Sequence, residues 1–439
     1  MLRTLILIPE KIAGLDVTGF GWLLIIWAIL SACLLGYLAY RQGFTADTIS
    51  YLPMIVIAAV VIIWVLPQMQ VAEAGVKGIP IRGYGVMLLL GVVCGVGLGT
   101  HRAQRMGMNP EVMLSLAVWM IVPGILGARV FYVIQYWGRD FQADTFQETI
   151  QNVFNITQGG LVVYGSLIGA LLGFAIYTKK NNLPAFALAD IIAPSLLLGL
   201  FFGRIGCLLN GCCYGGVCEY PWAIQFPDDS PPYLRHAESG EFYGFRLAEN
   251  ENEKVVVAWI REESQAAQSG LAVGDLLMSV DREEIGARVT GDDEHSALDV
   301  AYYYLKLPYL ANGQDSISTR LVFQDVGIIN FTLSKKPPYS LAIHPAQLYS
   351  SLNAIILCGL MLAVYPYRRR DGEVIALTLT TYAISRFLLE IIRSDETSFQ
   401  GTGLTISQNV SLVIFFSAIG FLIYLQSQPK QTMLPVAKT

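Results

Sequence analysis

The sequence GRIGCLLNGCCYGG, residues 203 to 216, follows an apolar run from Ile191 to Phe202 and places Arg204 at the end of that run. A charged side chain within a membrane segment costs about 3 kcal/mol or more, so it usually has a partner or a function. A second arginine, Arg386, interrupts another apolar stretch. Because guanidinium groups make forked contacts with phosphate and carboxylate groups, the two arginines predict a protein that handles an anionic substrate resident in the membrane.

The composition excludes an ordinary soluble protein. Of the 439 residues, 54% are hydrophobic and only 14% are charged, which predicts an all-α polytopic membrane protein. The net charge of −5 is modest, and the basic residues are scattered. The sequence therefore does not favour nucleic acid as a partner.

Nine apolar segments are long enough to cross a bilayer, which takes about 20 helical residues. They lie near residues 20–40, 51–67, 84–100, 112–136, 161–178, 187–210, 346–366, 373–393 and 405–425. Basic residues follow the third, fifth and seventh segments, and loops of this kind usually face the cytoplasm. The intervening loops, including residues 214–343, are then expected to face outward, which in a bacterium is the periplasmic side.

Residues 236–335 are more charged than the rest and contain short strand-like stretches, which predicts a separate soluble domain. Within them, QAAQSGLAVGDLLMSVDREEI, residues 265–285, resembles the core signature of PDZ domains, a small α+β fold. That resemblance implies a carboxylate-binding loop at residues 243–247 and a groove helix at residues 297–305, where an extended peptide would add to the sheet edge. The alternative is a degenerate domain that only shapes the outer face.

A polar stripe interrupts the eighth apolar segment. Spacings of four, four and three residues place Tyr382, Arg386, Glu390 and Arg393 on one helix face. An Arg and a Glu one turn apart can pair, which lowers the cost of burial and fixes the guanidinium. The stripe is either part of a site or a salt bridge that locks two helices, and Arg204 favours the site because a lock needs no second buried cation.

The segment HPAQLY, residues 344–349, opens the seventh apolar segment at the outer boundary of the membrane. Pro345 suits the first helical position, with His344 as the cap and Gln347 in the first turn. A lone histidine here is more often a capping residue than a catalyst. Its expected proximity to Arg204 and Glu390 makes it a catalytic candidate.

Four cysteines form the pattern C-x4-C-C-x4-C at Cys207, Cys212, Cys213 and Cys218. This spacing fits neither a common zinc site nor an obvious disulfide framework. Packing of small apolar side chains is favoured, with a disulfide or a metal site as alternatives. We expect no cofactor and no metal.

Four motifs together resemble those of the bacterial phosphatidylglycerol:prolipoprotein diacylglyceryl transferases in order and spacing: GGLVVYGSLIG (159–169), ADIIAPSLLLGLFFGRIGCLLNGCCYG (189–215), HPAQLY (344–349) and YAISRFLLEIIR (382–393). The resemblance implies a seven-helix transferase core in two parts, residues 80–220 with four spans and 340–428 with three. Residues 1–75, with two probable spans, and the PDZ-like insert at 236–335 lie outside it.

The resemblance implies transfer of an sn-1,2-diacylglyceryl group from phosphatidylglycerol to the lipobox cysteine thiol of a preprolipoprotein. Glycerol-1-phosphate would be released and a thioether formed. The partners would be phosphatidylglycerol, lipobox signal peptides, membrane lipids and a peptide ligand of the insert, and the location the bacterial inner membrane with the site facing the periplasm. A catalytically inactive lipid-binding or transport protein on the same scaffold is the alternative, although the retention of both arginines favours the enzyme.

The resemblance also assigns residues. Arg204 and Arg386 match the two key arginines and would contact the phosphate, with Glu390 orienting Arg386. Further matching positions are Tyr84, Arg129, Asn210, Gly215, His344, Gln347 and Tyr382. The chain departs from the family pattern at Tyr164, where well-studied members have a histidine, and at Cys207 and Cys212, where an Asn and a Glu occur. Tyr164 is expected to position substrate first and to act as a base second; His344, water or a thiol ionised by the arginines are the alternatives.

Overall fold

The structure, a computed structural model, describes residues 4–42, 52–73, 75–141, 145–154, 160, 162–250, 252–285, 288–290, 293–310, 316–393 and 403–433. The chain divides into two compact units, residues 2–87 and 88–439.

The N-terminal unit combines short strands with apolar helices. Its elements are β1 (Thr4–Pro9), β2 (Lys11–Ile12), β3 (Leu15–Asp16), α1 (Trp22–Gln42), α2 (Leu52–Val60), a π-helical turn (Val61–Val65), a 3₁₀ turn (Leu66–Met69), β4 (Val71–Glu73) and β5 (Val76–Arg82). Strand β5 pairs antiparallel with β1 on one side and β4 on the other, and β2 pairs with β3. The sequence analysis did not predict this sheet because its strands are short and flanked by longer apolar runs.

The second unit begins with long apolar helices. In chain order they are α3 (Gly83–Arg105, whose first turn belongs to the N-terminal unit), α4 (Pro110–Gln135), a π-helical turn (Trp137–Phe141), α5 (Phe146–Phe154), α6 (Val163–Lys180) and α7 (Ala185–Asn210). Asn109 caps α4 by accepting a hydrogen bond from the backbone N–H of Glu111. Helix α7 ends at Gly211, whose left-handed backbone (φ 76°) turns the chain out of the helix.

Between α7 and the last three helices lies a segment of strands and short helices that pack around a hydrophobic cluster of their own. Its elements are α8 (Pro231–Glu238), β6 (Phe245–Glu249), β7 (Val255–Ile260), α9 (Gln265–Gln268), β8 (Leu277–Val280), β9 (Glu283–Glu284), β10 (Arg288–Thr290), β11 (Asp293–His295), α10 (Ala297–Leu310), β12 (Ile317–Phe323) and β13 (Gly327–Leu333). Its main sheet has the order β13-β12-β8-β9, and β6 pairs with β7. The strands predicted near residues 254–260 and 319–323 and the helix at 297–305 are present, and buried aromatic side chains such as Tyr243 and Phe331 fill the core.

The chain ends with α11 (Ala346–Val364), a 3₁₀ turn (Tyr365–Tyr367), α12 (Glu373–Ile392) and α13 (Ile406–Ser427). Within the described ranges, six helices are long and apolar enough to cross a membrane: α3, α4, α7, α11 with its 3₁₀ turn, α12 and α13. They confirm six of the nine predicted spans and a polytopic membrane protein. The other three spans stay predictions. They correspond to α6, which has 18 residues and ends with Lys179 and Lys180, and to two shorter apolar stretches, Trp22–Tyr37 and Ala58–Met69.

Glycines on α6 allow its backbone to approach α4 closely. A Cβ at Gly169 would lie 2.1 Å from the carbonyl oxygen of Pro123, and one at Gly173 would lie 1.8 Å from that of Trp119. Neither distance is sterically possible, so the small side chains set the helix separation. Close packing against α4 therefore explains the glycines at these two positions of α6.

Candidate active site

Arg204 lies in the second-last turn of α7 and is partly buried. It forms no hydrogen bond or ion pair with any residue that the structure describes, yet it interacts electrostatically with Tyr382 of α12 and with Cys213 in the loop after α7. Arg393 is also close enough to repel it. Arg204 is therefore a cation at membrane depth beside a phenol and a thiol, without a carboxylate among the described residues.

Arg386, by contrast, has protein partners. Its Nη1 lies 2.6 Å from Oε2 of Glu390, and its Nη2 donates a 2.9 Å hydrogen bond to Oγ of Ser407 in the first turn of α13. The same Glu390 oxygen lies 3.3 Å from Nη1 of Arg393. Glu390 is fully buried, so a single carboxylate holds two guanidinium groups in place.

Backbone hydrogen bonds join three motifs that are far apart in sequence. The N–H of Gly215 donates to the carbonyl of His344 at 3.0 Å, and the N–H of Gly216 donates to the carbonyl of Ile392 at 3.0 Å. The N–H of His344 in turn donates to Gly216. A Cβ at Gly215 would lie 2.6 Å from Cβ of His344, so only glycine fits this position. The loop after α7 is thus held between the start of α11 and the end of α12.

Side chains at the start of α11 support the same loop. The Nε2 of Gln347, a buried residue, donates a 2.8 Å hydrogen bond to the carbonyl of Cys212. The Nδ1 of His344 lies 3.5 Å from the hydroxyl of Tyr349, which accepts a 2.7 Å hydrogen bond from Nε1 of Trp222. His344 is half-buried, and its ring lies 5.4 Å from that of Tyr220. The histidine therefore lies among aromatic side chains, and it forms no ion pair with a carboxylate of the described ranges.

The side chains of the cysteines in and before this loop also lie close to one another. The side chain of Asn210 forms a hydrogen bond with Cys212. Hydrogen bonds from Cys207 and Cys212 lower the pKa of the Cys213 thiol, and the charges of Arg204 and Arg393 act in the same direction. A thiolate at Cys213 would therefore be stabilised by its surroundings.

Three further predicted site residues lie on other helices. Arg129 on α4 donates hydrogen bonds to the carbonyls of Val153, Gly160 and Asn152 and so holds the segment between α4 and α6. Tyr164, in the first turn of α6, is 37% exposed, and its hydroxyl forms no hydrogen bond with the described residues. Tyr84, in the first turn of α3, belongs to the N-terminal unit.

An apolar cavity of about 250 Å³ lies between α3, α4 and α7. Gly91, Gly95 and Gly99 form one wall, and Ser195 and Gly199 form another. Gly199 precedes Arg204 by five residues on the same helix, so the cavity lies along the helix that carries the first arginine.

Comparison with known proteins shows the family of the chain. The family model described as prolipoprotein diacylglyceryl transferase matches residues 72–424 of the chain, which is well over half of it. The chain belongs to the prolipoprotein diacylglyceryl transferase family. The matched range contains all four motifs and the whole group of residues around Arg204, so the family resemblance inferred from the motifs is confirmed.

Relatives within the transferase family match between about a third and nearly all of the chain. The phosphatidylglycerol–prolipoprotein diacylglyceryl transferase of Rhodopirellula baltica is 34% identical over 95% of this chain and 88% of its own length. The one from Corynebacterium glutamicum is 25% identical over 78% of each chain. A second transferase of Clostridium perfringens is 35% identical over 37% of this chain and 61% of its own length.

Two polar residues near the transferase motifs were missed by the sequence analysis. Ser407 binds Arg386, but a serine in the first turn of a helix is commonly a capping residue and gives no stronger signal. Trp222 binds Tyr349, yet its sequence neighbours show no periodic pattern. Both contacts depend on which helices pack together, which single-helix periodicity does not specify.

Proposed function

We propose that the chain transfers a diacylglyceryl group from phosphatidylglycerol to the lipobox cysteine of a preprolipoprotein. In this reaction the cysteine sulfur forms a C–S bond to the glyceryl carbon, and the C–O bond from that carbon to the phosphate breaks. Glycerol-1-phosphate leaves, and the thiol proton passes to an acceptor. The product is a thioether.

The observation that carries this proposal is an excess of cations: Arg204 lies close to Arg393, and Arg393 shares the single buried carboxylate of Glu390 with Arg386. A guanidinium at membrane depth without a carboxylate is costly unless a ligand compensates it. The phosphate of a lipid headgroup is an anion that reaches this depth, and forked contacts favour it over a neutral headgroup. Negative charge that grows on the leaving phosphate would be stabilised by the same cation in a site of low dielectric constant.

Arg386 would act on the phosphate from a fixed position. Its contacts with Glu390 and Ser407 restrict the side chain before substrate binds, which reduces the reorganisation needed in the transition state. Tyr382, one turn before Arg386 and close to Arg204, is suited to donate a hydrogen bond to a phosphate oxygen. Asn210, Gly215 and Gln347 would shape the loop, while Arg129 and Tyr84 would contribute to lipid binding from outside this group.

His344 and Tyr164 are the proposed candidates for the proton acceptor. The contact of His344 with Tyr349 and the attachment of its backbone to the loop favour His344. Tyr164 lies at an exposed helix start, which suits a hydroxyl that positions substrate.

The apolar cavity between α3, α4 and α7 would hold one acyl chain of the phospholipid. It lies between three apolar helices and is lined almost entirely by apolar groups, so a lipid tail that fills it would gain packing contacts. The orientation would be that of an inner-membrane protein with the site on the periplasmic side. The seven-helix core is completed in this proposal by α6, and the domain between α7 and α11 would be a PDZ-like module that gathers peptide substrates.

The test is a transfer assay with the full chain in vesicles of phosphatidylglycerol and a synthetic lipobox peptide, with the thioether product detected by mass spectrometry. The intact protein should form the diacylglyceryl peptide, and Arg204→Ala should lower kcat/KM by at least about 100-fold. Arg369→Ala, which changes an exposed arginine before α12, is the matched control and should keep normal activity. Lipid binding without any thioether product from the intact protein would favour the inactive lipid-binding alternative and overturn the proposal.

A further inference from the structure

Three of the loop cysteines meet in space. The sulfur atoms of Cys207, Cys212 and Cys213 all lie within 4.8 Å of one another. All three side chains are half-buried, and the described cysteines form no disulfide. The fourth cysteine of the sequence pattern, Cys218, lies outside this group of described residues.

The backbone around the end of α7 produces this grouping. Cys207 lies in the last turn, and the left-handed Gly211 reverses the chain so that the N–H of Cys212 donates to the carbonyl of Cys207 at 3.1 Å. Cys213 has a φ of 59°, a conformation uncommon for a residue with a side chain. Gln347 holds the carbonyl of Cys212 from α11. The three thiols are thus brought together by a loop that is itself fixed.

We propose that Cys207, Cys212 and Cys213 form a three-thiolate binding site for a thiophilic d10 metal ion of the Zn²⁺ and Cu⁺ class. Metal–sulfur bonds of about 2.3 Å around one ion place three sulfurs about 4 Å apart, within the observed separation. Soft thiolate ligands select ions of this class over Mg²⁺ or Ca²⁺. The site does not depend on the proposed transfer reaction.

The charges around the site favour metal binding. Binding releases three thiol protons, and a divalent ion with three thiolates carries one net negative charge. Arg204 and Arg393 are close enough to Cys213 to offset that charge electrostatically. A disulfide would use only two of the three sulfurs and leave the third thiol unused, whereas a metal ion uses all three.

Binding would join the last turn of α7 to the loop that follows it. Residues 207 and 213 flank the Gly211 reversal, so a bound ion would restrict unfolding of the helix end that carries Arg204. The expected readouts are therefore a metal–thiolate signal and a higher thermal midpoint of the loaded protein.

The test uses the full chain in detergent, reduced with a phosphine and titrated with Cd²⁺ as the probe ion. One equivalent should bind with a thiolate-to-cadmium charge-transfer absorption. Cys207→Ser, Cys212→Ser and Cys213→Ser should each weaken binding by more than about tenfold. Cys218→Ser, a cysteine of the same loop outside the cluster, is the matched control and should bind like the original chain.

A second measurement does not depend on the folding of any variant. Zn²⁺ at saturation should slow maleimide labelling of Cys207, Cys212 and Cys213 in the original chain, while labelling of Cys218 continues. An absorption band that survives the triple serine change, labelling that Zn²⁺ leaves unchanged, or a disulfide between two of the three cysteines in the purified protein would each overturn the proposal.

Discussion

Glu390 joins two arginines of the polar stripe, Arg386 on α12 and Arg393 immediately after that helix: its Oε2 lies 2.6 Å from Nη1 of Arg386 and 3.3 Å from Nη1 of Arg393. The carboxylate is fully buried, and a buried charge without a partner strongly destabilises a protein, so the two guanidinium groups are needed to compensate it. Arg204, close to the same group, has no such partner among the described residues. The two arginines of the proposed phosphate site therefore differ in how the protein compensates their charge.

Replacing Glu390 by Gln should destabilise the protein. The change leaves two guanidinium groups facing a neutral amide, and removing one partner of a buried ion pair costs about 3 kcal/mol or more in free energy of unfolding. The thermal midpoint in detergent and the transfer activity should both fall. Glu373→Gln is the control, because Glu373 starts the same helix and pairs with Arg370 nearer to solvent, where a pair contributes about 1 kcal/mol or less.

Replacing Ser407 by Ala should lower the thermal midpoint and the transfer activity less than Glu390→Gln does. Ser407→Ala deletes the hydrogen bond to Nη2 of Arg386 and leaves the ion pair with Glu390 intact. A hydrogen bond to a charged group contributes about 1.5–3 kcal/mol. We expect a lower kcat with a smaller loss of thermal stability than in Glu390→Gln. Equal stability losses in the two variants would show that the ion pair contributes nothing beyond the hydrogen bond.

Substitution of Arg204 should not lower the thermal midpoint, in contrast to substitution of Glu390 or Ser407. Because no described carboxylate forms an ion pair with Arg204, Arg204→Ala removes a charge that is costly in a membrane helix, and the thermal midpoint should stay the same or rise while activity is lost. Arg204→Lys keeps the charge but not the forked geometry, so activity should also fall sharply. A large drop in thermal midpoint in both variants would identify Arg204 as a structural residue instead.

The sequence alone predicts the elements of the site well and their connections poorly. The periodicity of Tyr382, Arg386, Glu390 and Arg393 predicts one helix face, and the ion pair between Arg386 and Glu390 follows from their spacing. That Gly215 binds His344 depends on how three separate helices pack, and no local pattern encodes that. The strands of the N-terminal unit were missed for another reason: the longer strands β1 and β5 lack a strict apolar–polar alternation, and Gly78 and Pro80 interrupt β5.

Gly215→Ala tests the junction of the three motifs. A Cβ would lie 2.6 Å from Cβ of His344 and 3.0 Å from the carbonyl oxygen of Ile392, so the loop must shift away from α11 and α12. Overpacking of this kind costs about 1–3 kcal/mol. We expect a lower thermal midpoint and reduced kcat/KM. Gly359→Ala on α11, where a new Cβ meets nothing within 4 Å, should change neither quantity.

Asp190 on α7 contacts the start of α12, at the end of that helix away from the arginines. Its carboxylate is completely buried and accepts hydrogen bonds from the N–H groups of Gly372 and Ile375, each at 2.8 Å. It therefore caps α12 from another helix. Asp190→Ala should lower the free energy of unfolding by about 2 kcal/mol or more, because two buried donors lose their acceptor. Asp190→Asn, which keeps one acceptor oxygen, should lose less, and equal losses would contradict the capping role.

His236 should make the stability of the segment between α7 and α11 depend on pH. Burial lowers the pKa of His236 to about 4; Glu241, 3.3 Å away, opposes the shift, while the charges of Arg246, Arg261 and Arg235 add to it. The neutral ring accepts a hydrogen bond at Nδ1 from the N–H of Leu341, which ties α8 to the strand-like segment before α11.

The direction of this pH dependence follows from the protons that the folded and the unfolded chain bind at His236. Between about pH 6.5 and pH 4 the unfolded chain binds a proton at this histidine and the folded chain does not, so stability falls as the pH falls through that window. A shift of this size corresponds to about 3 kcal/mol. The thermal midpoint should therefore drop from pH 7 to pH 4 more in the original chain than in His236→Asn, whose Oδ1 can still accept the hydrogen bond from Leu341. Parallel pH profiles for the two proteins would contradict the assignment to His236.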